Sequence, residues 1–240
     1  MDLYDLQARQ APIVLAVTPL ALVAIALIPG LGQAKLATAS IGGVVIAGLL
    51  VVGQRYARSA GHARQARLFQ SWGGLPTTAM LRFRDSRLNP ETKRIYRERL
   101  ARLGANFPIP SEADEESDPT GADIKIGAAM DEIRRRAKER NVKAVHRELI
   151  NYGAARNIYG LKPFGLVVCA ISIAVLLASI ALRGGFSPGA GDLIVGAAIL
   201  LLTGLWLFGF TERSVRHPAE AYARALFEAI EPLTKKGGRA

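Results

Sequence analysis

The sequence has few of the residues from which catalytic and metal sites are usually built. Its 240 residues include one cysteine and three histidines, and only 7% of them are aromatic. Cys169 has no partner for an intramolecular disulfide, and His62, His146 and His217 each stand alone in their stretch of sequence. No Walker-type phosphate loop and no His-Glu pair at metal-binding spacing is present. We therefore expect neither an enzyme nor a bound metal or cofactor.

Charged residues are missing from four long apolar segments, at 12–31, 36–53, 164–182 and 193–210. Each is close to the ~20 residues that cross a hydrocarbon core of ~30 Å. The first ten residues, MDLYDLQARQ, carry two acids and one arginine, which is not typical of a cleaved signal peptide. The pattern predicts an all-α integral membrane protein with two transmembrane helical hairpins flanking a helical cytoplasmic domain.

Basic residues are concentrated between the two predicted hairpins. Residues 54–163 contain 22 Lys and Arg against 13 Asp and Glu, and so carry nine of the eleven net positive charges. Because cytoplasmic flanks of membrane helices are enriched in Lys and Arg, we expect a multi-pass protein of the bacterial inner membrane with both termini cytoplasmic. The predicted segments are the N-terminal hairpin (1–53), the basic cytoplasmic domain (54–163), the C-terminal hairpin (164–210) and an amphipathic tail helix (211–240).

Local patterns within the cytoplasmic domain predict helices. Asn89 and Pro90 are typical of a helix start, and Gly104 of a helix end. An apolar stripe at helical spacing continues from 126 to 152, and a second one occupies a face of the tail. The acidic run SEADEESDPTGAD at 111–123 is rich in Ser, Pro and Gly. We interpret that run as a flexible linker.

A row of basic residues marks the most informative polar surface. Arg136, Arg140, Lys143 and Arg147 are spaced by 4, 3 and 4, and one continuous helix would place all of them on one face. Guanidinium groups bind phosphates well, so this row is a candidate site for a nucleotide or oligonucleotide. A solvated face or attraction to anionic lipid is the alternative, and Asn141 could interrupt the helix. The candidate phosphate-binding residues, with two flanking arginines, are Arg134, Arg135, Arg136, Arg140, Lys143 and Arg147.

Two further sets of residues are candidates for membrane-related roles. The arginines after the second segment are predicted to contact the membrane surface: Arg55, Arg58, Arg64 and Arg67. Small or hydroxylated residues in the first two segments are predicted to pack helices closely or to line a pore: Thr18, Ala39, Ser40, Gly43 and Ala47. The segments contain no ionisable residue, which argues against a proton-coupled pump.

The stretches GLPTTAMLRFRDSRLNPETKRIYRERL at 74–100 and RELINYGAARNIYGLKP at 147–163 resemble an uncharacterised family of small bacterial membrane proteins. That resemblance implies a four-span layout and no known activity. The layout is also similar to that of transmembrane effectors of bacterial antiphage defence, in which a cytosolic domain senses a nucleotide signal and the spans breach the membrane.

These observations favour a ligand-controlled oligomeric channel or membrane-permeabilising effector. We expect a nucleotide or oligonucleotide bound to the basic cytoplasmic domain to gate the channel. The similarity of layout to antiphage effectors suggests a role in antiphage defence. The expected partners are the lipid bilayer and further copies of the chain, because four spans rarely enclose a polar path. The alternative is a non-conducting membrane adaptor that recruits nucleic acid or an acidic protein.

Overall fold

The computed structural model describes residues 10–26, 53, 55–183 and 187–234. Within these ranges the chain is α-helical and contains no strand, which confirms the all-α prediction. A π-helical turn, Leu205–Gly209, continues the eighth helix. The helices are α1 (Ala11–Ala26), α2 (55–71), α3 (Pro76–Ala79), α4 (Pro90–Ala101), α5 (Glu112–Ser117), α6 (Pro119–Glu139), α7 (Lys143–Leu182), α8 (Ala190–Gly204) and α9 (Glu212–Thr234).

Two of these helices are long and apolar enough to cross a bilayer. They are α7 and the continuous helix Ala190–Gly209, which joins α8 to its π-helical turn. They match the third and fourth predicted spans. The described part of the first predicted span is α1, a shorter apolar helix. The second predicted span, 36–53, lies outside the described residues except for Gly53.

The chain divides into two compact units. The apolar unit comprises Met1–Gln65 and Gly153–Val215, and the polar unit comprises Ala66–Tyr152 and Arg216–Ala240. The tail therefore groups with the central part of the chain.

Apolar side chains from α1, α2, α7 and α8 with its π-helical turn form the core of the apolar unit. Its α1 packs against α8. Trp206 in the π-helical turn is fully buried and lies against Gly165 of α7, where an added Cβ would be only 2.4 Å from the indole ring. The carbonyl oxygens of Leu207 and Phe210 accept hydrogen bonds from the Lys162 ammonium, at 2.8 and 3.2 Å. The core residues are Ile13, Ala16, Val23, Ala57, Leu161, Cys169, Leu176, Ile180, Ile199 and Trp206.

The two predicted apolar stripes form much of the core of the polar unit. The first stripe contributes six buried side chains, which are Ile126, Met130, Ile133, Ala137, Val145 and Tyr152. The tail stripe contributes five, which are Tyr222, Leu226, Ala229, Ile230 and Leu233. The helical periodicity therefore identified the packed faces of α6, α7 and α9 correctly.

The start of α4 follows the prediction. The Asn89 side chain accepts a hydrogen bond from the backbone N–H of Glu91 at 2.9 Å, and Pro90 occupies the first helical position. The helix ends at Ala101, and Gly104 follows with a φ of 107°.

The interpretation of 111–123 as a flexible linker was wrong. Ser111 and Asp114 form a capping box that starts α5. The Asp118 side chain accepts a hydrogen bond from Gly121 N–H at 2.9 Å and caps α6, whose first residue is Pro119. The Ser, Asp and Pro residues of this run are helix-start signals used twice in succession.

Candidate functional site

The six candidate phosphate-binding residues do not lie on one helix. A Schellman motif ends α6, in which Val142 N–H bonds to the Ala137 carbonyl and Asn141 N–H to that of Lys138, at 3.0 and 3.2 Å. Asn141 has a φ of 47°, a left-handed conformation that asparagine tolerates better than most residues. A new helix, α7, then begins at Lys143. The prediction of a single four-residue face is therefore corrected, because Asn141 divides the row.

Three of the four arginines before this break are paired with acids of their own helix. Arg134 forms an ion pair with Asp131, Arg135 with Glu132 and Glu139, and Arg136 with Glu132. Hydrogen bonds from Arg135 and Arg136 lower the pKa of Glu132 to about 2. The acids lie three or four residues from their partners, so the sequence already contained this signal.

Two of the candidate residues also bind the end of the tail helix. The Arg136 guanidinium donates to the Leu233 carbonyl at 3.0 Å, and that of Arg140 donates to the Pro232 carbonyl at 2.9 Å. The last carbonyls of a helix have no intrahelical partner, and basic side chains are favourable beside them. Arg136 and Arg140 thus act as a cap for α9.

An exposed basic surface remains where α6 gives way to α7. We refer to Lys138, Arg140, Lys143 and Arg147 as the basic turn, and the side chains of all four residues are exposed. Arg147 is 74% exposed, and its neighbour Glu148 lies 3.2 Å away. The start of α7 adds the positive end of a helix dipole. Lys138 was missed from the sequence because it does not share the spacing of the others.

The arginines of α2 differ in their surroundings. Arg64 donates to the Tyr159 carbonyl at 3.1 Å, and its guanidinium lies 5.6 Å from the centroid of the Tyr159 ring. Arg55, Arg58 and Arg67 are exposed. Arg64 therefore joins α2 to α7 within the apolar unit, while the other three remain available to a charged surface.

Close helix packing occurs at a pair of glycines that the sequence interpretation missed. A Cβ on Gly160 of α7 would lie 2.5 Å from the backbone nitrogen of Gly61 in α2. A Cβ on Gly61 would lie 2.8 Å from the Asn157 side-chain oxygen. The two backbones approach so closely because neither position has a side chain. The sequence did contain a signal for this packing, because Ala57 and Gly61 are small residues four positions apart on one helix.

Of the small or hydroxylated residues predicted to pack helices or line a pore, only Thr18 is among the described residues. Thr18 donates its hydroxyl to the Val14 carbonyl of the same helix at 2.7 Å. The other residues of this prediction, Ala39, Ser40, Gly43 and Ala47, lie outside the described residues. Their roles in packing or in a pore stay predictions.

Next to the glycine crossing, polar side chains of α2 and α7 form a cluster. The Arg156 guanidinium donates to Gln65 at 3.1 Å and to Asn157 at 3.4 Å, and lies 3.5 Å from the His62 ring nitrogen. His62 is also 3.1 Å from Gln65. Burial lowers the pKa of His62, and the positive charges of Arg156 and Arg58 lower it further. His62 therefore has a cationic neighbourhood that its isolated position in the sequence did not indicate.

Two buried cations in the polar unit serve the fold. Lys93 donates to the carbonyls of Phe83 and Asp85, and Arg97 donates to those of Leu81 and Pro110. Burial lowers the pKa of Lys93. Their donors are directed at backbone oxygens. They therefore hold the loop that precedes α4 and, through Pro110, the segment that follows it.

Among the described residues, no group of three His, Cys, Asp or Glu side chains could hold a metal ion. The chain matches no family model, no curated protein and no solved structure. The resemblance to a family of small membrane proteins therefore stays an expectation from the quoted residues.

Proposed function

We propose that the protein is a multi-pass integral membrane protein of the bacterial inner membrane. The supporting observation is the exposure of its most apolar helices. In the most apolar 18-residue stretch of α7, only 33% is buried within the chain. In the corresponding stretch of Ala190–Gly209, only 17% is buried. A soluble core helix would be mostly buried, because exposed apolar surface costs about 25 cal/mol per Å² in water. Contact with lipid hydrocarbon removes that cost.

The Lys and Arg distribution supports an orientation with both termini and the polar unit in the cytoplasm. Arg55 and Arg58 follow the second predicted span, and Arg213 and Arg216 follow the fourth. The loop between α7 and α8 contains Arg183 alone among basic residues. This orientation requires residues 36–53 to form the second span of an N-terminal hairpin. That span is part of the proposal.

Within this frame we infer a ligand-controlled oligomeric channel or permeabilising effector. The basic turn is the proposed contact for a nucleotide or short oligonucleotide, since exposed Lys and Arg make charge-assisted hydrogen bonds to phosphate. One helix, α7, begins in the basic turn at Lys143 and ends at Leu182 after its apolar segment. The same helix thus contains the proposed ligand contact and a proposed span. A role in antiphage defence is part of this proposal and is supported by layout alone.

A non-conducting adaptor is the second candidate, and one observation favours it. The hydroxyls of Thr18, Ser179 and Thr203 each donate to a carbonyl of their own helix, at 2.7, 2.7 and 2.8 Å. Such bonds reduce the polarity that a span offers to a neighbouring pore. In an adaptor the basic turn would recruit nucleic acid or an acidic protein.

Ion flux through proteoliposomes distinguishes the two candidates. We expect the purified protein to pass ions only after a short oligonucleotide is added to the face that carries the polar unit. Binding should weaken steeply with salt, because cations condensed on the nucleic acid are released. Lys143→Gln combined with Arg147→Gln should weaken binding about ten-fold or more.

The matched control is Arg102→Gln combined with Lys125→Gln, which removes two exposed charges elsewhere in the polar unit. Equal losses in the two double variants would contradict a defined site. Binding without flux under any condition would support the adaptor over the channel. Absence of binding by the wild type would contradict both.

A further inference from the structure

A cavity of about 290 Å³ lies in the polar unit, away from the basic turn. It is beside Pro119 at the start of α6, and Lys138 of the basic turn is 19 residues later, about 28 Å along the helix. Pockets for small molecules begin at roughly 300 Å³, so this cavity suits one small ligand or one side chain. Its lining comes from the loop before α4, from α5 and from the first residue of α6: Phe83, Arg84, Glu112, Glu115, Glu116 and Pro119.

A buried arginine holds two walls of this cavity in place. Arg97 donates to the carbonyl of Leu81, two residues before Phe83, and to that of Pro110, two residues before α5. Its guanidinium also lies 4.0 Å from the centroid of the Phe83 ring. Phe83 nevertheless remains 39% exposed. The cavity is therefore pre-formed, because one side chain fixes both the aromatic wall and the approach to α5.

The buried carboxylate of Glu115 has an unused acceptor. Glu115 is only 6% exposed, and its Oε2 accepts a hydrogen bond from Phe83 N–H at 3.1 Å. Within the described part of the chain no group donates to its other oxygen, Oε1. The negative charge of Glu115 opposes the lowering of the pKa of Lys93 and Arg97 by burial, but both cations direct their donors at backbone carbonyls. Buried polar atoms are normally hydrogen-bonded, and a ligand in the cavity would supply the missing donor.

The exposed part of the lining has an excess of negative charge. Glu112 and Glu116 lie four residues apart on α5, which places them on one face, and neither forms an ion pair with another described residue. Arg84 is the one cation among the lining residues. No three His, Cys, Asp or Glu side chains in the described ranges could hold a metal ion. The charge and the apolar wall together therefore suit an organic cation.

We propose that this cavity binds a small organic cation, an ammonium or guanidinium group on an apolar stem. The carboxylates of Glu112, Glu115 and Glu116 accept its N–H donors in charge-assisted hydrogen bonds. The Phe83 ring and Pro119 contact the stem, and the face of an aromatic ring attracts a cation. A free amine and an arginine side chain of another polypeptide offer this same chemistry. The site is independent of the proposed membrane insertion and of the basic turn.

Saturation-transfer NMR tests the site with the full chain in detergent. The probes are butylguanidinium and butylurea, which has a similar shape without the charge. We expect butylguanidinium to bind about ten-fold more tightly or better, because its hydrogen bonds to carboxylates are charge-assisted. Equal affinities, or no binding of either probe up to about 10 mM, would overturn the proposal. N-acetylarginine methylamide distinguishes the sources: tighter binding than butylguanidinium assigns the cavity to a partner's side chain, and equal or weaker binding assigns it to a free cation.

Variants of the lining residues predict changes of opposite sign. Glu112→Gln combined with Glu116→Gln should weaken butylguanidinium binding about ten-fold, and both residues are exposed, so this variant should fold. Arg84→Gln should strengthen binding a few-fold, because it removes a charge of the same sign as the ligand. The control is Glu98→Gln combined with Glu228→Gln, which removes two exposed acids elsewhere in the polar unit. An equal loss in the control, or a loss in Arg84→Gln, would overturn the site in favour of general attraction to acidic surface.

Discussion

The guanidinium of Arg140 donates a hydrogen bond to the carbonyl oxygen of Pro232, 2.9 Å away. Arg140 is the C-cap residue that follows α6, and Pro232 lies in the last turn of α9. One helix end therefore supports another within the polar unit. Part of the basic row identified from the sequence is used for this internal contact. The surface left for a ligand is correspondingly smaller and centred on the start of α7.

Removing the second member of this cap should destabilise the polar unit. Arg136→Gln breaks the bond to the Leu233 carbonyl and the ion pair with Glu132. We expect a loss of about 1–2 kcal/mol in the free energy of unfolding. Hydrogen exchange should rise in the last turn of α9. Arg135→Gln is the control, because Arg135 makes ion pairs with Glu132 and Glu139 of its own helix from an exposed position and should cost less than Arg136→Gln. Equal effects of the two variants would contradict the capping role.

The glycine crossing predicts opposite effects for two Gly→Ala changes in the apolar unit. Gly160→Ala places a Cβ 2.5 Å from the Gly61 nitrogen and should lower stability by roughly 1–3 kcal/mol. Gly204 ends α8 and has no neighbour within 4 Å of such a Cβ. Gly204→Ala should therefore be neutral or stabilising, because alanine favours helix. Thermal unfolding in one detergent compares them, and a loss at Gly204 as large as that at Gly160 would contradict the crossing.

The ion pairs of Glu132 predict a pH dependence of stability. Hydrogen bonds from Arg135 and Arg136 lower its pKa in the folded chain from 4.5 to about 2. The unfolded chain therefore binds more protons between these values, and the stability that Glu132 contributes is lost as pH falls from above 4.5 toward 2. Glu132→Gln should be less stable than wild type at pH 7, with the difference shrinking over this interval. If the difference in stability between wild type and Glu132→Gln did not change with pH, the ion pairs with Arg135 and Arg136 would not be its cause.

Local signals in the sequence were sufficient for much of the fold. Asn89 and Pro90 placed the start of α4, and the apolar stripes identified the buried faces of α6 and α9. The error at 111–123 came from treating Ser111, Asp118 and Pro119 as loop residues, although the same residue types begin helices.

The contacts of the candidate site were harder to predict because their partners are distant in sequence. Arg136 and Arg140 bind carbonyls more than 90 residues away, and backbone carbonyls leave no pattern of side chains to find. The cluster around His62 depends on Arg156, which is 94 residues later. His62 and Arg156 come together because α2 and α7 approach closely at Gly61 and Gly160. The break at Asn141, by contrast, was visible as an alternative in the sequence.

Cysteine accessibility in intact cells tests the central claim, that apolar helices insert in the inner membrane with the polar unit in the cytoplasm. Single cysteines are introduced by Ser187→Cys, in the loop before α8, and by Ser117→Cys, in α5. Cys169→Ala removes the one native thiol, which is buried. A membrane-impermeant maleimide should label position 187 from outside the cell and should reach position 117 only after the membrane is opened. Labelling of position 117 in intact cells, or equal labelling of both positions, would contradict the account.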